Sequence, residues 1–327
     1  MTTRRTLLAT GLGALAAPAW TADYAAALSQ AYGAPVDPPA AHRRALAATR
    51  AAQARADVLL RGQGLVAGGV AERLRVLAKD PRWLYADDEA GRDRAVAEMN
   101  GRLAALRPRL PAAFGDLPVA AAEVRRMPPA DVAAGRGGYR EAPRDGRAPA
   151  YYVDLRAIRA RPAWTLPSTA FHEVTPGHLL QLPLQAQAAP TLAYFEAWAI
   201  YAEQLARDLG AYADDPRGEL GYLQWRLFRL GRIVADTGLH ALGWSRERAI
   251  AAMAGLQGFP AAFITIEADA DRIVAQPGKV AAEGLGALAL ADWRPKATAR
   301  WPAYHRAILA EGPAGFGELE RRVRMTR

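Results

Sequence analysis

The chain has 327 residues, of which 51% are hydrophobic and 23% charged, and this composition is typical of a globular protein rather than of a disordered one. Its formal charge is +9, but almost all the basic residues are arginines scattered among carboxylates, which predicts a solvated surface and no nucleic-acid partner. Cysteine is absent, so disulfides, thiolate metal ligands and cysteine nucleophiles are excluded, and any metal site must use histidine and carboxylate.

The first 19 residues have the pattern of an export signal. Arg4 and Arg5 precede a short, weakly apolar run rich in glycine and alanine, and Ala17-Pro18-Ala19 offers small residues for cleavage after Ala19. The pattern predicts a twin-arginine signal peptide and a periplasmic or otherwise exported protein; the alternative is a buried N-terminal helix. No later segment approaches the ~18 apolar residues of a membrane span, so no integral membrane segment is expected in the mature chain.

Residues 20–134 are predicted to form an N-terminal helical region. Three amphipathic segments are recognised: the stretch around Arg50, Val70 to Lys79, and Arg92 to Leu106. Two proline-containing breaks, Asp80-Pro81 and Arg107-Pro108, follow the second and the third segment. Proline disfavours a helical conformation in the residue before it, so these breaks separate the helices.

Residues 135–327 are predicted to be the catalytic region, either as a second domain or as one continuous domain with residues 20–134. Its first part is rich in glycine and proline and leads into Tyr151-Tyr152-Val153, a pattern typical of a loop followed by a short strand. After Pro167 the pattern is helical, and Asp215-Pro216 is a good N-cap and first turn for a long helix towards Thr237. The chain is therefore expected to be mainly α, with at most a small β-sheet.

The segment His172 to His178 carries the strongest chemical signal. Zinc proteases place two histidines four residues apart on one helix, with a glutamate beside the first as the base. Here the spacing is six, which on a straight helix would leave the second ring rotated by about 240° from the first. Pro176 cannot donate to the carbonyl of His172, and Gly177 tolerates unusual dihedrals. We therefore expect the helix to bulge and return His178 to the metal, with Glu173 as general base.

A third metal ligand is expected from the helical segment that ends at Gly210. Glu196 and Glu203 are seven residues apart and lie on one, otherwise apolar, face of this helix. Two carboxylates on such a face are expected to have partners. We assign Glu196 as the ligand and Glu203 as the partner that orients a zinc-bound histidine, although the reverse order fits the spacing equally well.

Asp236 and His240 form a further candidate pair. They are four residues apart on one helical face, so the carboxylate could orient the imidazole, which could then hydrogen-bond an oxyanion. The alternative is a structural pair. His305 is expected to be a buried histidine rather than a ligand, and Trp225 is expected to belong to the core.

Three motifs resemble those of the bacterial family called domain of unknown function 885: HEVTPGHLLQ at 172–181, EAWAIYAE at 196–203 and DTGLHALGW at 236–244. The upstream segments 145–147 and 151–153 are also similar to that family. The resemblance covers the chain from about Gly138 to its end. It implies a multi-helix, gluzincin-like zinc metallopeptidase fold, with the small β-sheet near the active site.

This sequence departs from the family pattern at three positions. Leu179 stands where the family has a second adjacent histidine, and Ala197 follows Glu196 where the family has a glycine. Glu283 stands where the family has a tyrosine, whose hydroxyl would be a natural donor to an oxyanion.

Two functions remain open at this point. The first is hydrolysis of a peptide or related amide by one zinc ion, with Glu173 taking a proton from the attacking water. The second is a zinc-containing binding or scaffold protein of the same fold that has lost catalysis. The retained Glu173 favours the hydrolase, because a structural zinc site needs no base.

Overall fold

A computed structural model describes residues 19–143, 146–184, 192–260 and 263–326. As predicted, the chain is mainly helical with one small sheet. The helices are α1 (Ala19–Tyr32), α2 (Pro38–Gly62), α3 (Val70–Ala78), α4 (Glu89–Leu106), α5 (Pro111–Phe114), α6 (Pro129–Ala133), α7 (Leu166–Glu173), α8 (His178–Leu184), α9 (Leu192–Asp208), α10 (Pro216–Ala241), α11 (Arg246–Gln257), α12 (Ile266–Ala275), α13 (Lys279–Trp293), α14 (Trp301–Leu309) and α15 (Phe316–Arg324). Residues 1–18 of the predicted signal peptide lie outside the described residues.

Side-chain caps define where several of these helices begin. Asp215 accepts a hydrogen bond from the backbone N–H of Gly218, and Pro216 occupies the first turn of α10, as predicted. The same arrangement of aspartate and proline starts α2 at Asp37, and Ser245 caps α11. The polar residues before these three helices thus fix their starts locally.

The central layer consists of α9, α10 and α13, which pack on one another. Helix α13 is buried from Val280 to Leu290 and has little polar surface, so sequence periodicity did not single it out. Gly286 permits its close approach to α9, because a Cβ there would lie 2.8 Å from that of Ala197. From the N-terminal region, α1 packs on α13, α2 on α10 and α4 on α7, so one hydrophobic core extends across both predicted regions.

Three short strands form the sheet: β1 (Glu123–Arg126), β2 (Tyr139–Glu141) and β3 (Ala150–Val153). The predicted strand, β3, lies in the centre, parallel to β1 and antiparallel to β2. The sequence did not indicate β1 and β2, which are too short to show a clear alternation. Arg140 extends from β2 to Glu173 at the end of α7.

Within the described residues, no helix is both long enough and apolar enough to cross a membrane.

His305 of α14 lies at the centre of the core and is completely buried, as expected. Its Nδ1–H donates to the carbonyl of Ala113 at 2.7 Å, so Nε2 accepts a hydrogen bond from the hydroxyl of Tyr201, also at 2.7 Å. Both nitrogens are therefore satisfied in the neutral ring. Burial lowers the pKa of His305 to about 3, although its hydrogen bond to Ala113 acts in the opposite direction.

This histidine should make the fold sensitive to acid. Between about pH 3 and pH 6.5 the unfolded chain binds one proton more than the folded chain, so the contribution of His305 to the unfolding free energy falls as the pH falls through that window. Relative to a His305→Gln variant, the wild type should lose up to about 1.4 kcal/mol per pH unit of acidification in urea unfolding experiments. A difference that is constant from pH 4 to pH 7 would contradict the assignment.

Candidate metal centre

The chain between His172 and His178 folds as two helices separated by a tight turn. Helix α7 ends at Glu173 and α8 begins at His178, and the intervening turn contains a cis peptide bond before Pro176. The expectation of one bulged helix is therefore wrong. The indole Nε1–H of Trp198 donates to the carbonyl of Pro176 at 3.0 Å and ties the turn to α9.

Gly177 allows this turn to fold back onto the end of α7. A Cβ at this position would lie 1.8 Å from the carbonyl oxygen of His172 and 2.5 Å from that of Phe171, distances that no side chain can adopt. The sequence argument valued glycine here for its dihedral freedom. The structure instead requires it because two backbone segments approach closely, and this approach brings His178 back beside His172.

His172, His178 and Glu196 converge on one point in a cleft. One ligand atom from each lies within 4.8 Å of the others. The Nε2 atoms of His172 and His178 lie 3.6 Å and 3.5 Å from the two carboxylate oxygens of Glu196. Two ligands of a tetrahedral zinc ion, each at about 2.1 Å from it, are about 3.4 Å apart. The two histidine–glutamate distances are therefore close to those expected around a zinc ion held by two histidines and one glutamate.

The buried histidine provides an independent indication of a missing partner. His178 is 2% exposed, and its Nε2 has no hydrogen-bond partner among the described residues. Burial lowers the pKa of His178, so the ring is neutral. Burial acts against ionisation of Glu196, but the neighbouring imidazoles of His178 and His172 and the charge of Arg229 lower its pKa well below the ordinary value. These are the protonation states in which histidine and glutamate bind a metal.

Glu203 orients His172 for this role. One oxygen of its carboxylate accepts from Nδ1–H of His172 at 2.9 Å, and the other accepts from the hydroxyl of Ser168 at 2.6 Å. The bond fixes the proton of His172 on Nδ1 and leaves the lone pair of Nε2 directed at the cluster. The order of the two glutamates suggested by the sequence, with Glu196 in the cluster and Glu203 behind His172, is the order that the structure has.

Glu173 lies beside the cluster on the wall of the same cleft, which has a volume of about 370 Å³. Its carboxylate forms an ion pair with Arg140 of β2. The small sheet therefore positions this side chain. Trp225 was expected in the core but also lines the cleft, where it stacks on Phe263 with the rings 6.1 Å apart.

The predicted pairing of Asp236 with His240 is wrong. The two oxygens of Asp236 accept backbone N–H bonds from Gly278 and Ala281, at 3.0 Å and 3.1 Å, and thereby cap α13. His240 bonds through Nε2 to the carbonyl of Ile273 at 3.2 Å. The helical spacing places both on one face of α10, but that face is turned towards α12 and α13, and neither residue lines the cleft. Burial raises the pKa of Asp236 to about 7.

Glu283, which replaces the tyrosine usual at this position, does line the cleft. It is 4% exposed. Burial and the charge of Glu196 raise its pKa to about 6, against the opposing effect of nearby arginines. The cleft thus contains a carboxyl group where a phenolic hydroxyl was the expected donor.

Several residues of the cleft were not found from the sequence, among them Ser168, Arg161 and Arg229. Neither was Arg140, which forms an ion pair with the cleft residue Glu173. Ser168 had a usable signal, because it precedes His172 by one helical turn and shares its face. The arginines had none, since arginine is common throughout this chain.

The fold and site define a mainly helical protein whose cleft holds a cluster of two histidines and one glutamate. The chain belongs to the family described as "Bacterial protein of unknown function (DUF885)", whose model matches residues 5–323. This confirms the family expected from the motifs. No curated protein matches the chain.

Two solved structures are similar to this chain. One is a "putative lipoprotein" from Colwellia psychrerythraea, with 33% sequence identity and a TM-score of 0.83 over 95% of this chain. A second such protein, of unknown function and from Shewanella oneidensis, shares the fold at 18% identity, with a TM-score of 0.72 over 92% of this chain. The chain spans 56% and 59% of the lengths of these two proteins.

The close approach at Gly177 generates a prediction. Gly177→Ala should push the turn away from the end of α7 and move His178 off the cluster, reducing zinc affinity by more than about tenfold. Zinc content after dialysis measures this effect. Gly101→Ala is a matched control, because a Cβ at Gly101 on α4 meets nothing within 4 Å. Equal zinc retention by the two variants would show that the close approach does not position His178.

Proposed function

We propose that the chain is a zinc-dependent hydrolase of peptide or related amide bonds. The observation that carries the proposal is the convergence of His172, His178 and Glu196, with an unpartnered and buried Nε2 on His178, next to the carboxylate of Glu173. Three protein ligands leave one position open, which is the arrangement of catalytic rather than structural zinc sites. The resemblance to gluzincin-like metallopeptidases supports the same reaction class.

The proposed roles follow from the position of each side chain. Zinc bound at this site would supply a Lewis acid for the substrate carbonyl and for the attacking water. Glu173 takes a proton from that water and delivers it to the leaving amine. Arg140 holds the carboxylate of Glu173 in place from β2, and Glu203 keeps the proton of His172 on the nitrogen that faces away from the cluster.

The decisive variant is Glu173→Gln, which keeps the size of the side chain but cannot accept a proton. Zinc content should stay close to wild type, because Glu173 is not one of the three ligands, while peptide hydrolysis should fall by about 10² to 10⁴-fold. The thermal midpoint should change little, since the lost ion pair with Arg140 is partly exposed. His172→Ala should instead lose the metal.

A panel of peptides, assayed with and without a chelator, provides the substrate for this comparison. Full activity of Glu173→Gln on a peptide that the wild type cleaves would disprove the role of Glu173. Loss of zinc from the same variant would make Glu173 a ligand. A wild type that binds zinc but cleaves no peptide would favour the alternative function, a zinc-containing binding or scaffold protein, which the carboxyl of Glu283 at the usual tyrosine position supports.

We also propose that the protein is exported to the periplasm through the twin-arginine pathway. Support comes from Arg4 and Arg5 ahead of a weakly apolar run, and from the lipoprotein descriptions of the two structural neighbours. This pathway suits a protein that loads its metal on folding.

Replacing Arg4 and Arg5 together by lysine should leave the protein in the cytoplasm, because the paired guanidinium groups identify the signal. Cell fractionation and immunoblotting give the distribution. The matched control replaces Arg43 and Arg44 of α2, the other adjacent arginines in this part of the chain, by lysine. If both double variants reach the periplasm in wild-type amounts, the twin-arginine assignment fails.

A further inference from the structure

Two of the arginines that line the cleft have a buried Nε with no hydrogen bond. Arg161 is only 8% exposed, yet its Nε has no hydrogen bond. Arg229 lies on α10, and its Nε is likewise buried without a hydrogen-bond partner. Among the described residues, neither guanidinium forms an ion pair or a hydrogen bond.

Two further arginines, Arg232 and Arg272, line the cleft, and Arg232 is fully paired. Arg232 forms two hydrogen bonds with the carboxylate of Asp269, at 2.7 Å and 2.6 Å. Asp154, near Arg161, is bonded to Arg156 instead. Arg229 contacts only the aromatic faces of Trp225 and Phe228, with its guanidinium carbon 5.8 Å and 5.2 Å from the ring centroids.

A buried, unpaired guanidinium destabilises a fold, since the charge loses its hydration without gaining a counter-charge. Arg161 is such a group, whereas Arg229 is half-buried and is attracted by the carboxylates of Glu196 and Glu283 without bonding to either. Both arginines line the same cleft as Glu173. The hydroxyl of Thr169, beside them on α7, is also buried without a partner. Three unsatisfied donors in one cleft indicate a ligand that brings an anionic acceptor with it.

We propose that Arg161 and Arg229 bind a carboxylate of the substrate, so that the enzyme prefers peptides carrying a carboxylate close to the scissile bond. This proposal rests on the hydrolase function above and specifies its substrate class. The planar guanidinium matches a carboxylate in two parallel hydrogen bonds. The carboxylate is either the free C-terminus or the side chain of an aspartate or glutamate.

The test uses zinc-loaded full-length protein and three kinds of N-acetylated tetra-alanine peptide. The first has a free C-terminal carboxylate, the second is its neutral amide, and the third is the amide with one alanine replaced by glutamate at each position in turn. The wild type should show a kcat/KM at least about tenfold higher for a carboxylate-bearing peptide than for the neutral amide. Preference for the first kind identifies the C-terminus as the source; preference for the third identifies an acidic side chain.

Arg161→Met and Arg229→Met should each reduce this preference by about tenfold or more, because each removes charge-assisted hydrogen bonds to the carboxylate. Arg306→Gln, which alters an exposed arginine paired with Asp116 away from the cleft, should leave it unchanged. The thermal midpoint gives a second readout. Arg161→Met should leave it unchanged or raise it, whereas a structural arginine would lower it on removal.

The failure of this proposal is distinguishable from that of the hydrolase. If the wild type cleaves all three kinds of peptide equally, the hydrolase stands and the carboxylate site is disproved. If no peptide is cleaved, the hydrolase fails, and calorimetric titration with the free acid and the neutral amide decides on the site. The carboxylate site is supported if the free acid binds more tightly than the neutral amide and if Arg161→Met loses this difference. It is overturned if the two peptides bind equally. It is also overturned if Arg161→Met has a lower thermal midpoint but keeps the preference for the carboxylate.

Discussion

The close contact between the backbone at Gly177 and the end of α7 is the constraint on which the site depends. A helix that continued past Glu173 would carry His178 to the opposite side from His172. The chain instead turns back at once, so closely that only a hydrogen atom fits between Gly177 and the carbonyl of His172. Because of this turn, two rings from consecutive helices lie with their centroids 5.0 Å apart and share one carboxylate.

Helix α9 supplies the other half of the site, and its position is also set by close packing. Glu196 faces both histidines, and Glu203, two turns further along, bonds to His172 and Ser168. Between these glutamates, Ala197 packs closely on Gly286 of α13. Small residues at this contact let α9 and α13 lie close together. The position of α9 in turn holds both carboxylates within reach of His172 on α7.

Charge is distributed unequally around the cleft. The carboxylates of Glu196 and Glu203 are matched by histidines, and Arg232 is matched by Asp269. Among the described residues, Arg161 and Arg229 form no ion pair, although Arg229 is attracted by Glu196 and Glu283. Because folded proteins are only marginally stable, groups that lower the free energy of unfolding and stabilise no other part of the fold are expected at functional positions. The proposed substrate class rests on this contrast between satisfied and unsatisfied groups in one cavity.

The amino-acid sequence alone determined the helical class, the start of α10 and the set of residues in the cluster. Caps such as Asp215 act on the backbone within a few residues, and the spacing of Glu196 and Glu203 places them on one face of any helix. It did not determine which way a face points: Asp236 and His240 share a face of α10, yet that face meets α12 and α13. The packing of distant segments alone decided this, and it also placed Arg161 and Arg229 in the cleft and Arg140 beside Glu173. Their contacts join residues far apart in the chain, for which local patterns carry no information.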